Sequence, residues 1–179
     1  QLPGFDVAGA MHPAEFAAGD YYDFVPMSAP AVAFAIGDVS GHGFASALLM
    51  AATHAHVRLL AQLHDDPAEI LARANALLSE RGDGERFVTL LLAKLDPLAR
   101  SLVYASAGHP SGYVLSADGR LKTRLASTSM PLGLETDTCF CSAGPIALAP
   151  GDLVLFLTDG LLDARDAGSR PFGEEGVLA

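Results

Sequence analysis

Short apolar runs separated by glycine, proline and aspartate turns make up most of this chain, and one long alanine- and leucine-rich stretch interrupts them. Phe5–Met11, Tyr21–Val25 and Ala31–Ile36 have the length of strands. From Phe44 to His64 the period changes. Phe44, Leu48, Ala51, Ala55, Leu59 and Leu63 recur every three or four residues, which predicts a helix with that stripe on the core. His54, His56 and Arg58 lie off the stripe and are expected in solvent. Asp66-Pro67-Ala68-Glu69 then announces a second helix, with Asp66 as N-cap, Pro67 in the first turn and Glu69 closing a capping box. Ile70, Leu71, Ala74, Leu77 and Leu78 give its apolar face, and Gly82 is expected to end it.

From Phe87 the chain turns to β. Phe87–Leu95 and Ser101–Ala107 flank Asp96-Pro97, a hairpin signal. Gly112–Ser116 and Leu121–Leu125 flank Asp118-Gly119, a stronger one. Met130–Leu134 reads as a loop. Cys139–Ser142 and Ile146–Leu148 read as short strands. Leu153–Leu157 reads as a second buried strand. The pattern as a whole predicts an α+β chain, with a helix pair inserted among antiparallel strands.

Composition narrows the function. The 179 residues suggest one domain, and an opening of Gln-Leu-Pro-Gly suggests a piece of a longer protein. A net charge of −10, from 21 acids and 11 bases, disfavours nucleic acid and anionic membranes as partners. No uninterrupted apolar run reaches the roughly 18 residues of a membrane span. Membrane insertion is therefore not expected. Cys139 and Cys141 lack a second pair for zinc and read as buried or half-buried thiols on one strand face, which points to a reducing, cytoplasmic setting.

The candidate chemistry lies in Gly37-Asp38-Val39-Ser40-Gly41-His42-Gly43. Without Lys-Ser/Thr after Gly43 it is not a P-loop. Ser46 stands where a dinucleotide fingerprint needs glycine. Ser40 is out of place for a nucleophile elbow. Two readings of Asp38 stay open on spacing alone. It caps the following helix, or it is a carboxylate at the mouth of a buried strand that a cation compensates. Thr158-Asp159-Gly160 repeats the form after another apolar strand. No Lys or Arg adjoins either aspartate, so hard divalent cations with oxygen ligands are the economical answer. Asp20 and Asp23 sit three apart on a strand, so they face opposite sides and Asp20 is the better candidate. No HExxH or paired Cys/His pattern supports a zinc hydrolase.

These segments, in order, resemble a known family. Gly19-Asp20-Tyr21-Tyr22-Asp23 and the Gly37–Gly43 loop are joined by Phe87-Val88-Thr89, Ala107-Gly108-His109-Pro110, Pro131-Leu132-Gly133, Pro150-Gly151-Asp152, Thr158-Asp159-Gly160 and Phe172-Gly173-Glu174-Glu175. Nearly the whole chain is similar to the metal-dependent PPM (protein phosphatase 2C-like) serine/threonine phosphatases, in their bacterial SpoIIE-like branch. The resemblance implies a four-layer-type β-sandwich of two antiparallel sheets flanked by helices. It implies two Mn(II) or Mg(II) ions, with Asp38 bridging them, Val39 offering its carbonyl, Asp159 holding one and Asp20 binding directly or through water. His42 is the candidate proton donor to the leaving alkoxide, and His109 a weaker one. Asp163 and Asp166 are expected to be solvated turn residues.

Two departures matter. Ala18 stands where the family usually has a glycine. The chain also stops at Ala179, before the family's last strand and a further metal-binding aspartate. One metal site is therefore expected to be weak, with activity only at high Mn(II). The resemblance implies hydrolysis of phosphoserine or phosphothreonine on a partner protein, such as an anti-sigma-factor antagonist. It implies sensor or receiver domains ahead of residue 1, making residues 1–179 a signalling output domain. The helix pair would couple the site to them and leaves room for a homodimer. The rival expectation is a catalytically weak binding module that sequesters a regulator.

Overall fold

The computed structural model describes residues 2–12, 19–80, 86–166 and 168–179. The chain divides into two compact units. One comprises Gln1–His109 with Ser127–Leu148, the other Pro110–Ala126 with Ala149–Ala179.

The first unit is built on a five-stranded antiparallel sheet. Its strands are β1 (Tyr21–Pro26), β2 (Val32–Val39), β3 (Val88–Asp96), β4 (Ser101–Ala107) and, further along the chain, β7 (Ala143–Ala147). They lie in the order β1-β2-β3-β4-β7. β3 occupies the middle, and Leu90, Leu91, Leu92 and Ala93 are all fully buried. Burial on both faces explains its nearly unbroken apolar sequence. The β3–β4 turn follows expectation, because Asp96 accepts from the backbone N–H of Leu98 and of Ala99, each at 2.9 Å.

β2 alternates cleanly. Ala33, Ala35, Gly37 and Val39 face one side, and Phe34, Ile36 and Asp38 the other. The first side is small. It lets helices α1 (Phe44–Leu63) and α2 (Pro67–Ser79) close on the sheet, with Met50, Val57, Leu60, Ile70, Leu71, Ala74 and Leu78 filling the core.

Helix α1 forms where expected but turns a different face inward. Its buried residues are Ser46, Met50, Thr53, Val57, Leu60 and Ala61. The predicted stripe of Phe44, Leu48, Ala51, Ala55, Leu59 and Leu63 is exposed throughout. Two stripes of the same period are interlaced here, and periodicity favoured the bulkier. The smaller one fits the Ala-lined sheet, and its hydroxyls are satisfied within the backbone. Ser46 Oγ donates to the Ser40 carbonyl at 3.3 Å, and Thr53 Oγ1 to the Leu49 carbonyl at 2.8 Å.

In α2, Asp66 caps as expected, accepting from the Ala68 N–H at 3.3 Å. Glu69 does not close a capping box. Its carboxylate meets His64 Nδ1 at 3.0 Å and Arg73 at 2.8 Å instead. Leu77 is exposed rather than core. Gly82 and Ala18 lie outside the described residues.

The second unit carries a three-stranded antiparallel sheet, β5 (Gly112–Leu115), β6 (Leu121–Leu125) and β8 (Leu153–Leu155), in the order β6-β5-β8. The Asp118-Gly119 turn joins β5 to β6, with Gly119 at φ 83°, a conformation glycine adopts without strain. Two short helices follow, α3 (Asp159–Leu162) and α4 (Gly173–Leu178). Leu155, Leu162, Val177 and Leu178 pack around Tyr113, Leu115 and Leu157. Two antiparallel sheets with helices give the α+β class that the sequence predicted.

Three strand expectations are corrected. Phe5–Met11 forms no strand. Cys139–Ser142 forms none either, and both thiols are exposed. The Leu153–Leu157 run is shorter as a strand, and Leu153 is 53% exposed, so it is not a buried core strand.

Candidate metal centre

Asp38 lies inside β2, one residue before its end, rather than in the loop beyond. The strand pairing runs on past the expected boundary, with Asp38 opposite Thr89 and Val39 opposite Val88. This holds the Asp38 backbone in a sheet. The side chain stands on the face away from α1 and α2. The helix-capping reading of Asp38 is excluded, because the N-cap of α1 is Gly43, with no side-chain cap bond.

Gly19 shows what converges here. A methyl group built on it would meet Asp38 Oδ1 at 2.8 Å and the Val39 carbonyl oxygen at 3.0 Å. The backbone of residue 19 thus passes against the carboxylate and the carbonyl that the sequence singled out. The β1–β2 pairing sets Tyr21 opposite Gly37. Continued by one residue, that register puts Asp20 opposite Asp38. Asp20, Asp38 and the Val39 carbonyl therefore gather at one end of the first sheet.

The loop after Val39 is pinned rather than loose. The Ser40 N–H donates to the Phe87 carbonyl at 2.9 Å, and Ser40 Oγ accepts from the Phe87 N–H at 2.9 Å. Gly41 and Gly43 take φ of 83° and 88°, so the chain can turn directly into α1. His42 is exposed on this loop.

His109 is only 3% exposed. Its Nδ1 lies 3.0 Å from Thr89 Oγ1, which in turn donates to the Asp38 carbonyl at 3.4 Å. His109 is thus tied to β3, the strand paired with β2. The motif was visible in the sequence, but this partner, twenty residues away, was not.

Asp23 faces away from Asp20, as the period of two required. It accepts from Arg58 and pairs with His54 Nε2 at 2.9 Å. The His54 ring also lies 5.0 Å from that of Tyr21. Two of the three α1 residues expected in solvent, His54 and Arg58, therefore clasp β1. Burial works to raise the Asp23 carboxyl, but hydrogen bonds from Arg58 and His54 outweigh it and hold its pKa below the ordinary value.

Asp159 belongs to the second unit. It is the exposed first residue of α3, and its carbonyl accepts from the Asp163 N–H at 2.7 Å. Asp163 and Asp166 are exposed, as expected, and Asp166 pairs with Arg170 at 2.9 Å.

Among the described residues no three His, Cys, Asp or Glu side chains cluster closely enough to hold a metal. The donors gathered in the first unit are instead a mixed set of carboxylates and a carbonyl. Such hard oxygens suit Mg(II) or Mn(II), which keep several waters of their own. The crowding at Gly19 is what close approach to such a site requires, so the residues fit the group the fold implies.

A family model described as stage II sporulation protein E (SpoIIE) matches residues 28–179. The phosphoserine phosphatase RsbU of Bacillus subtilis is 27% identical over 165 residues, covering 92% of this chain and 49% of that protein. The chain thus spans about half the length of this curated relative. The SiaA-PP2C domain of Pseudomonas aeruginosa superposes with a TM-score of 0.76 at 24% identity, over 90% of this chain and 64% of that one. RsbX, crystallised in complex with magnesium, superposes with a TM-score of 0.57 at 19% identity, over 74% and 63%. With its metal-suited end of β2 and this match over most of its length, the chain belongs to the SpoIIE family of PP2C-like phosphatases.

Proposed function

We propose that this chain hydrolyses phosphoserine or phosphothreonine on a partner protein, with Mn(II) or Mg(II) held in the first unit by Asp20, Asp38 and the Val39 carbonyl. The observation that carries the reading is the convergence of Asp38 Oδ1 and the Val39 carbonyl on Gly19, with Asp20 next in sequence. RsbU's description as a phosphoserine phosphatase supports the substrate class. The magnesium of the RsbX crystal supports the type of cofactor.

Phosphate-monoester hydrolysis needs accelerations up to about 10²¹, and acid–base help supplies only about 10²–10⁴. When bound, divalent metal neutralises the phosphate charge and supplies a hydroxide-like nucleophile near neutral pH. The chain's own contribution is geometry. Asp38 is fixed by strand pairing, the Val39 carbonyl by the same strand, and the following loop by Ser40. Bare carboxylates would repel a phosphate, so Asp20 and Asp38 orient cation and water rather than touch substrate. His42, exposed on the loop, donates the proton to the leaving seryl or threonyl oxygen. No protein nucleophile is assigned.

A phosphorylated anti-sigma-factor antagonist is the proposed partner class, with sensor or receiver domains acting in cis and the whole system in the bacterial cytoplasm. The test is phosphate release from an aryl phosphate and from a phosphoserine protein, with Mn(II), with and without chelator. Mn(II)-dependent release that the chelator abolishes is expected. No release at millimolar Mn(II) would leave the chain a binding module that sequesters a regulator.

A further inference from the structure

Both cysteines of this chain are exposed, although cysteine is among the residue types most often buried. They flank Phe140, which packs against the core of the first unit, so Cys139 and Cys141 stand together on the outer side of their segment. The two thiols are in hydrogen-bonding contact, and that bond is the largest cause holding the Cys141 pKa above its ordinary value. The backbone on either side is fastened to α2. Asn75, itself buried, donates to the Glu135 and Thr136 carbonyls at 2.9 and 3.3 Å. Ser142 Oγ accepts from the Ala68 N–H at 3.0 Å and donates to Asp66.

We propose that Cys139 and Cys141 form a chelating site for a soft, closed-shell cation, Cu(I), separate from the metal centre at Asp38. Thiolates select such an ion over the hard cations that carboxylates hold. Metal–sulfur bonds of ~2.3 Å set two ligating sulfurs about 4 Å apart, within reach of two thiols that already touch. No third His, Cys, Asp or Glu joins the pair among the described residues. A structural zinc would therefore lack half of its tetrahedron, whereas Cu(I) is satisfied by a pair of thiolates in a nearly linear arrangement. Binding replaces both S–H protons by one Cu(I). The protons go to solvent, the copper keeps its oxidation state, and the dithiolate complex carries a single negative charge.

A redox switch is the weaker reading of the same pair. A disulfide forms by attack of a thiolate, and the bond that raises Cys141 keeps it a thiol at neutral pH. A soft cation needs no thiolate beforehand, because it displaces the proton as it binds. A disulfide would also close a ring around Phe140 alone, against a backbone that Asn75, Phe140 and Ser142 hold in place. The same fastening favours chelation, since little order remains to be imposed when the ion binds. The inference stands whether or not the phosphatase reading does.

Anaerobic titration of the reduced 179-residue chain with Cu(I), against bicinchoninate as competing chelator, tests it. One Cu(I) per chain is expected, with a thiolate-to-copper band in the ultraviolet. Cys139→Ser and Cys141→Ser should each weaken binding by ~100-fold or more, because either leaves a single point of attachment in place of a chelate. Both positions are exposed, so the circular dichroism of either variant should stay that of the wild type. Asp38→Ala should bind Cu(I) as the wild type does, which separates this site from the Mn(II) centre. Failure to retain Cu(I) against the competitor would overturn the proposal. So would one Cu(I) shared between two chains, binding indifferent to either serine, loss of Cu(I) in Asp38→Ala, or Zn(II) held as tightly as Cu(I).

Discussion

A methyl group at Gly19 would stand 2.8 Å from Asp38 Oδ1, closer than a real Cβ comes to an oxygen. Gly19→Ala must therefore push the carboxylate or the Val39 carbonyl aside. The expected outcome is at least a ~10-fold loss of Mn(II) affinity by calorimetry, since ligand geometry sets affinity at such sites, with little change in thermal unfolding. Unchanged affinity would mean that Asp38 points elsewhere when metal binds. Asp23 makes a second prediction at this scale. Its folded pKa is depressed, so it contributes stability at neutral pH that is lost as pH falls through and below the ordinary carboxylate range near ~4. Asp23→Asn should cost about 1 to 3 kcal/mol at neutral pH. The gap between variant and wild type should close as the solution is acidified towards about pH 2. Chemical denaturation at several pH values measures this. An equal gap at pH 7 and pH 3 would contradict it.

At the scale of elements, α2 offers a contrast. Leu71 is fully buried and Leu77 is 39% exposed, though one apolar stripe contains both. Leu71→Ala should destabilise by about 2–5 kcal/mol, and Leu77→Ala by well under half of that. Equal losses in urea titrations would place Leu77 in the core after all. The same contrast shows what the sequence could reveal. Element type and order were legible wherever a local signal was strong, as at the Asp66-Pro67 helix start and the Asp96-Pro97 and Asp118-Gly119 hairpins. Facing was less so. α1 carries two interlaced apolar stripes, and only the small residues of β2 decide which one goes inside. Cys139–Ser142 had the composition of a strand but does not join one. For the site, the GDVSGHG segment was visible from its glycines and its lone carboxylate. The crowding at Gly19, the Thr89–His109 bond and the Asp23 clasp were not, because each joins positions brought together only by sheet register or helix packing.

For the whole molecule, the helix that follows the metal loop is also the one clasped to β1 through Asp23, His54 and Arg58. Both segments that carry Asp20 and Asp38 are thus tied to α1, which suits a helix that transmits a signal to the site. Substitution of His54 and Arg58 should alter response to an upstream domain more than basal turnover. Identical regulation in both variants would sever that link. The donors in the first unit, two carboxylates and a carbonyl, also predict modest affinity, with at most one well-occupied metal and turnover favoured by high Mn(II). Mn(II)-dependent turnover of a phosphoserine protein by Asp38→Ala, measured beside the wild-type chain, decides whether Asp38 holds the catalytic metal. Turnover should fall by at least ~10³-fold, the scale expected when metal catalysis is lost, while the far-ultraviolet spectrum stays that of a folded chain. Full Mn(II)-dependent turnover by the folded variant would contradict it and place the chemistry elsewhere.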